Sequence, residues 1–575
     1  MMLFPALHLL SLAVLSSAKC YEPSTAFPPP EYDADDAALN GAWETVDTAL
    51  TAAIAAPEFA STSFSVEITS SQQSIWSKHH TARERNASRP DIPEVNGDAL
   101  YRIASITKTF TVLALLQQHA AGNLSLDDTV NIYVEELNGA QNGTLPWTDI
   151  TLRSLASQLS GLPREYIHGD LSVLRDALDL GLPPIAGGGV PKCDEHDDDG
   201  NPPCFRKADL INAVKQRMPV FAPNQKSTYS NIAFELLGLV IANVTSQSYE
   251  SYIHDAIFQP LGMSMSSFAL PPDSAGVIPP KPQYWDADIG IQNPTGGIYS
   301  SSKDLSVYLR HILTHYNGLT HALNWLHPVS NSGGLHTFYG MPWEIFQTDR
   351  ILLNSRRTVR FVTKTGGLPG YFSVIMIVPE YDLGITILVA GNGRFLAEIR
   401  EVVTVQLVRA AERVALRQLH ERYSGTYGSP QSDLNSSLTL AVDYRGLVVE
   451  RFISNSTDVL ASPLMEHLPH SSGKWYVQVV PTLLYRDEKK QKGARWRFQG
   501  AAERSAGEQP VWDDACLTNI DVAEYAGAPL NEVVFWSGEG DTADTLELTG
   551  FRVKLVRNEK RQIQLPAERQ EYMEL

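Results

Sequence analysis

Basic residues are in short supply in this sequence: 46 Lys and Arg stand against 65 Asp and Glu, for a formal charge of −19. A surface of that sign repels phosphate backbones and anionic lipid heads, so nucleic acid is not an expected partner. Long apolar runs are also missing. The leading one ends at Leu15 and is too short to span a bilayer, which speaks against stable membrane insertion. No Gly-x-Ser-x-Gly elbow is present, which disfavours an α/β-hydrolase, and neither Gly-x-x-x-x-Gly-Lys-Ser/Thr nor Gly-x-Gly-x-x-Gly offers a nucleotide site. His79-His80 is the nearest approach to a metal pair, and neighbours on a strand point apart, so neither metal nor cofactor is expected. No internal repeat or strongly biased tract breaks the chain. With 43% hydrophobic and 19% charged residues, it has the balance of a globular protein.

What stands at the start is an apolar stretch from Leu3 to Leu15 followed by Ser16-Ser17-Ala18, small residues where a signal peptidase cuts, although a basic n-region is absent. Residues 1–18 are therefore expected to be a secretory signal. Six Asn-x-Ser/Thr sequons agree with that route, at Asn86, Asn123, Asn142, Asn243, Asn435 and Asn455. The four cysteines, Cys20, Cys193, Cys204 and Cys516, form an even set suited to two disulfides in an oxidising compartment. Cys193 and Cys204 bracket a polar loop and are the expected pair, leaving Cys20 with Cys516, although three connectivities are open. The loop's alternating acids before Gly200 suggest calcium, but an EF-hand register puts Arg206 where the bidentate Glu belongs.

At 575 residues the chain exceeds the size at which a single core keeps growing, so two domains are expected. Residues 19–39 are Pro-rich and acidic and read as an N-terminal arm. Ala42 to Ala55 is helical in composition, and Ser63 to Ile68 alternates as a half-buried strand does. Ala99 to Ile103 reads as a strand that gives way at Ala104 to a helix with its stop at Gly122-Asn123. Helical patterns follow at Ala233 to Ala242, Tyr249 to Phe258 and Lys303 to Thr314. Strand patterns at Phe361 to Gly366, Phe372 to Val378 and Ile385 to Ala390 precede a long helix over Glu398 to Leu419. Strands and helices at both ends of 40–421 enclosing a helical middle indicate an α/β (α+β) sandwich with an all-α subdomain. From 422 to 575, short strand-like segments at Leu438 to Val442, Gly446 to Phe452, Trp475 to Tyr485, Arg495 to Phe498 and Phe551 to Val556 indicate a separate all-β domain.

Ser-x-x-Lys occurs four times, at Ser16/Lys19, Ser105/Lys108, Ser300/Lys303 and Ser471/Lys474. The first lies in the leader, and the last two lie in Ser/Gly-rich loops where a serine more often caps or turns. Only Ser105 opens a strong helix after a strand, where the i, i+3 spacing puts Lys108 on the face of the hydroxyl. Two further motifs occur once each, in order: Tyr229-Ser230-Asn231 and Lys364-Thr365-Gly366. Taken singly, Tyr229 reads as a capping or core tyrosine and Lys364 as a surface lysine near a turn; the ordered set is what selects Ser105.

With Ser-x-x-Lys, Tyr-x-Asn and Lys-Thr-Gly together, the chain resembles the serine β-lactamase and penicillin-binding family, in particular the class C β-lactamase and D-aminopeptidase or esterase branch, and is similar to secreted fungal β-lactamase-like proteins. The likeness extends over about 40 to 415 through Leu159 to Pro163, Phe258 to Met263, Gly296 to Ser300 and Gly366 to Tyr371. Ser157-Gln158-Leu159-Ser160-Gly161 departs from the family's usual His-Thr-Ser-Gly. The resemblance implies a β-lactamase/transpeptidase-like catalytic domain over 40–421 and a secreted serine hydrolase that acts on a small-molecule or peptide-like acyl substrate, and the chemistry of the residues is compatible with these roles. Ser105 would be the nucleophile, Tyr229 or Lys108 the proton acceptor, Asn231 a group bonded to Lys108 and to substrate, and Lys364 and Thr365 substrate-binding groups. The backbone N–H groups of Ser105 and Gly367 would form the oxyanion hole, with glycine at 367 allowing close approach. Water as acceptor gives a hydrolase of esters, amides or β-lactams; an alcohol or amine gives an acyltransferase; a non-catalytic binding protein of the same fold is the third reading. Oligomeric state and substrate are left open.

Overall fold

The strands of the catalytic part are rich in β-branched and aromatic residues, and they assemble into one long antiparallel sheet. The computed structural model describes residues 26–139, 145–166, 180–184, 206–281, 284–315, 325–431, 434–467, 474–504, 523–537 and 542–559, together with Tyr21, Ala515, Cys516 and Ile520. The expected signal segment, Cys20, Asn142, Ser471 and the loop between Cys193 and Cys204 lie outside the described residues. Two compact units divide the chain. One comprises Ala34–Thr348 and Thr358–Leu407; the other takes Asp349–Arg357, Val408 onward and the described residues before Ala34.

In the first unit, helix α1 (Ala37–Ile54) starts five residues before the expected Ala42, because Asp36 caps it by accepting from the Ala38 N–H at 2.8 Å. Its Leu39, Ala42, Val46, Leu50 and Ile54 form one buried stripe. The sheet is built from β1 (Ser63–Thr69), β2 (Ser74–His80), β5 (Ser330–Asn331), β6 (Thr337–Tyr339), β7 (Glu344–Thr348), β8 (Val359–Leu368), β9 (Tyr371–Val378) and β10 (Leu383–Ala390), in the order β2-β1-β10-β9-β8-β7-β6-β5. A short pair, β3 (Leu100–Arg102) with β4 (Tyr299–Ser301), lies apart from it. β1 is buried along its whole length and not on one face only. Its polar side is covered as well: Ser65 Oγ lies 3.1 Å from the Tyr101 hydroxyl, and Ser302 Oγ donates to Glu67 at 3.2 Å.

The helical part packs α2 (Thr107–Ala120) against the helices Ile232–Thr245 and Asn293–Gly296. Leu113, Leu116, Leu236, Leu237 and Val240 are among the buried residues of one apolar cluster there. The expected helix over Tyr249 to Phe258 is α-helical only to Ile253, continues as a π-turn to Phe258, and ends at Gly262.

The second unit takes in the helix Arg394–Tyr423 from Val408 on and, after it, an all-β domain around a nine-stranded antiparallel sheet. Ser437–Asp443 pairs with both Gly425–Gly428 and Gly446–Ser454, so the sheet closes into a barrel. Trp496, Phe498, Val533, Phe535, Leu546 and Leu555 are buried. Four of its strands, Gly425–Gly428, Thr457–Asp458, Glu532–Ser537 and Ala543–Leu548, were not expected, and Phe551 lies in the turn before a strand that begins at Val553. Among the described residues, no helix of either unit is long and apolar enough to cross a membrane.

Candidate active site

The chain leaves β3 through Ile103 and enters a single 3₁₀ turn, Ala104–Ile106, before α2 begins at Thr107. Ser105 therefore sits in a tight turn ahead of the α-helix and not at its first residue. Ala104 is held in the left-handed region at φ 48°, a conformation that costs a non-glycine residue about 1 kcal/mol. Its neighbours fix it there: the Ile103 N–H donates to Ile298 O at 3.1 Å, and Ile103 O accepts from Ser373 Oγ at 2.9 Å. The close approach also explains a glycine. A Cβ at Gly366 would fall 2.2 Å from Ile103 O and 2.3 Å from Ser373 Oγ, whereas a Cβ at Gly367 would meet nothing within 4 Å. The steric demand expected at Gly367 belongs to Gly366.

One turn into the helix, Lys108 is fully buried and donates to Ser105 Oγ at 3.0 Å and to Thr295 O at 2.8 Å. Tyr229 lies between charges: the Nζ atoms of Lys108 and Lys364 are 5.2 and 5.3 Å from its ring centroid, and the Arg164 guanidinium is 4.7 Å from it. Burial pushes the Tyr229 phenol up, but Lys108 and Lys364 outweigh it, and its pKa falls below the ordinary 10.0. Burial lowers the Lys108 ammonium, and Lys364 adds to that, while Tyr229 opposes it. The two shifts make both groups better proton acceptors at neutral pH.

The Tyr229-Ser230-Asn231 segment is braced from Ser157–Gly161, where the sequence departs from the family pattern. Gln158, in a left-handed conformation at φ 61°, accepts from Ser230 N through Oε1 at 2.8 Å and from Thr228 N through its carbonyl at 2.9 Å. Asn231 corrects an expectation. Its Nδ2 donates to Glu165 and its buried Oδ1 has no partner among the described residues, while the Lys108 bonds go to Ser105 and Thr295.

Lys364 and Thr365 are likewise engaged within the protein. Glu344, at the end of β7, lies opposite Thr363 in the register, and β8 runs on past it. Its carboxylate takes Lys364 Nζ at 2.5 Å on Oε1, and Thr365 N at 3.0 Å and Thr365 Oγ1 at 2.6 Å on Oε2. Burial works to raise the Glu344 carboxyl and to lower the Lys364 ammonium, yet their mutual attraction prevails, so Glu344 is lowered and Lys364 raised. The Thr365 N–H points to the β7 side, and the Gly367 N–H, two residues on, points to the same edge where β7 no longer pairs. Gly367 is exposed there.

Sequence reasoning missed Arg164, Glu165, Glu235 and Glu344, and named Gln158 only within the segment that departs from the family pattern. Glu235 left a signal, an acid inside the apolar run of the helix Ile232–Thr245. It is fully buried, and burial together with the nearby Glu165 pushes its carboxyl well above the ordinary 4.5. Elsewhere, Ser300 lies in β4, not in a loop, with its hydroxyl 2.8 Å from Ser266 Oγ, and Lys303 pairs with Asp98. His79 and His80 diverge, one to Ser65 Oγ at 3.1 Å and the other stacked on Phe64. Asn123, Asn243, Asn435 and Asn455 are exposed and Asn86 is half-buried. Cys516 is disulfide-bonded, and the other three cysteines lie outside the described residues.

Residues 55–407 match the β-lactamase family, and residues 415–559 match a C-terminal domain of β-lactamase-like proteins. The chain belongs to the β-lactamase family. It is 33% identical to "Probable hydrolase M10" of Phoma sp., over 95% of this chain and 93% of that protein, and 31% identical to "Probable hydrolase clz13" of Cochliobolus lunatus, over 96% and 94%. A "Beta-lactamase-like protein" of Arthroderma benhamiae is 30% identical over 83% of this chain and 84% of its own. As a member of the β-lactamase family with the Ser105/Lys108/Tyr229 geometry described above, it is a serine hydrolase with a β-lactamase/transpeptidase-like α/β domain followed by an all-β domain.

Proposed function

We propose that the chain is a secreted hydrolase that cleaves an ester, amide or β-lactam bond through an acyl-enzyme on Ser105. The supporting observation is the 3.0 Å bond between Ser105 Oγ and Lys108 Nζ beside a tyrosine flanked by two buried lysines. Ser105 Oγ attacks the acyl carbon while its proton passes to the coupled Tyr229–Lys108 pair. The tetrahedral oxyanion is received by the N–H groups of Ser105 and Gly367, an arrangement in which one donor contributes about 3–4 kcal/mol in acyl-transfer enzymes. The leaving group takes the proton and departs, and water, activated by the same pair, releases the acid. The leader-like residues 1–18 and the exposed sequons support passage through a secretory pathway.

A fluorophosphonate probe tests the nucleophile directly. Purified protein is expected to be labelled on Ser105, Ser105→Ala to lose the label, and kcat on any ester turned over to fall by about 10⁴ or more. Labelling that persists in folded Ser105→Ala would overturn the assignment.

A further inference from the structure

An ammonium, a hydroxyl and a backbone N–H that converge on one point make a receptor for a carboxylate. Lys364 Nζ, Thr365 Oγ1 and Thr365 N converge in this way beside Ser105, and the point is already taken by the carboxylate of Glu344. We propose that Glu344 acts as a built-in carboxylate, and that the Ser105 site consequently takes uncharged acyl substrates, esters or amides carrying no carboxylate close to the scissile carbonyl. This inference rests on the reading of Ser105 as nucleophile.

The remaining charges point the same way. Lys364 keeps only 1% of its side chain exposed, so its charge is turned to Glu344 and not to a ligand. Lys108 is fully buried and is hydrogen-bonded to Ser105, Thr295 and Tyr229. On the Asn231 side stands a second carboxylate, Glu165, bonded by Asn231 Nδ2. Arg164, an exposed cation 4.7 Å from the Tyr229 ring centroid, lies with its Nε 3.9 Å from that same Glu165. A substrate carboxylate entering the site would therefore face Glu344 and Glu165 and meet Lys364 and Arg164 already beside those carboxylates, in a chain that carries a formal −19. An uncharged acyl group meets no such penalty. Its turnover needs water alone as co-reactant: the Oγ–acyl bond forms, the bond to the leaving alcohol or amine breaks and that leaving group takes the serine proton, and water cleaves the acyl-enzyme to restore Ser105 and release the acid.

The test compares two phosphonate probes on the full chain, an uncharged alkyl fluorophosphonate and one bearing a carboxylate three carbons from phosphorus, by their rates of labelling Ser105. The uncharged probe is expected to react at least about tenfold faster, and Glu344→Gln, which frees Lys364 and Thr365, to narrow that ratio several-fold. Equal or faster labelling by the anionic probe in the native chain would overturn the inference, as would an unchanged ratio in folded Glu344→Gln. If Glu344→Gln does not fold, the native ratio decides alone. Failure of both probes to label Ser105 would instead remove the nucleophile reading on which the inference rests.

Discussion

Tyr229 is made acidic by its neighbours, and that gives the site a pH signature. Its ordinary value of 10.0 is raised by burial and then lowered past that starting point by Lys108 and Lys364. The acid limb of the kcat/KM profile therefore lies below the range of a free tyrosine or lysine. Lys364→Met removes a cation that favours the phenolate, so the Tyr229 pKa rises and the acid limb moves to higher pH. Glu344→Gln removes an anion that disfavours it and moves the limb the other way. A pH profile on one uncharged ester checks both, and shifts of the same sign would exclude Tyr229 as the titrating group. Glu235 gives a stability signature. Burial raises its folded pKa, so the proton it holds stabilises the fold below the ordinary 4.5, and that stabilisation is lost as pH rises toward the folded value. Glu235→Gln keeps the shape without the titration. It is expected to melt higher than the native chain at pH 7, with the advantage shrinking as the pH falls toward 4.5. Melting curves that stay parallel across that window would mean Glu235 is not held neutral.

The element that organises the site is β8, and its two adjacent glycines separate folding from chemistry. Gly366 lies against Ile103 O and Ser373 Oγ, where a methyl group has no room, while Gly367 faces open space. Gly366→Ala is expected to cost about 1–3 kcal/mol of stability through the overpacked contact with the nucleophile turn. Gly367→Ala should leave the melting temperature near the native value and lower kcat, because its methyl group stands in the space the acyl group needs. If both substitutions destabilise equally, the contact at Ile103 is not what demands glycine. This contrast also marks where sequence reading ended. Ser105, Lys108, Tyr229 and Lys364 were legible because their spacing along the chain is itself the motif, and strands such as Ser63–Thr69 and Tyr371–Val378 and the helices Ile232–Thr245 and Arg394–Tyr423 were legible because hydrophobic period is local. Glu344 and Glu165 were not, since strand register and loop packing bring them to the site and no local pattern records either. The 3₁₀ turn at Ser105 was missed for a related reason: Ala104 tolerates φ 48° only because β4, β8 and β9 surround it. Of the four overlooked barrel strands, Gly425–Gly428 and Thr457–Asp458 are too short to show a period, while Glu532–Ser537 and Ala543–Leu548 contain Glu532 and the acids Asp544 and Glu547, which obscure the apolar alternation. Glu532 is buried all the same, with Arg486 at 2.6 Å and Arg495 at 2.5 Å.

For the molecule as a whole, surface chemistry makes the proposed route through the cell testable. The polypeptide has a mass of 63.4 kDa. An oligosaccharyltransferase needs asparagine in an accessible segment, and Asn123, Asn243, Asn435 and Asn455 all present exposed side chains. None of them belongs to the cluster around Ser105, so their glycans would solubilise the surface without closing the site. When the full chain is expressed in a eukaryotic host, it should be recovered from the medium with an apparent mass well above that of the bare polypeptide. Treatment with an N-glycosidase should collapse it to a single lower band, and successive Asn→Gln substitutions at the four exposed sequons should remove the excess in steps while ester turnover persists. A product that remains in the cytosol at the bare mass would sink the secretory reading while leaving the Ser105 chemistry intact. The two readings are independent, because residues 1–18 and the sequons carry one while Lys108, Tyr229 and Lys364 carry the other.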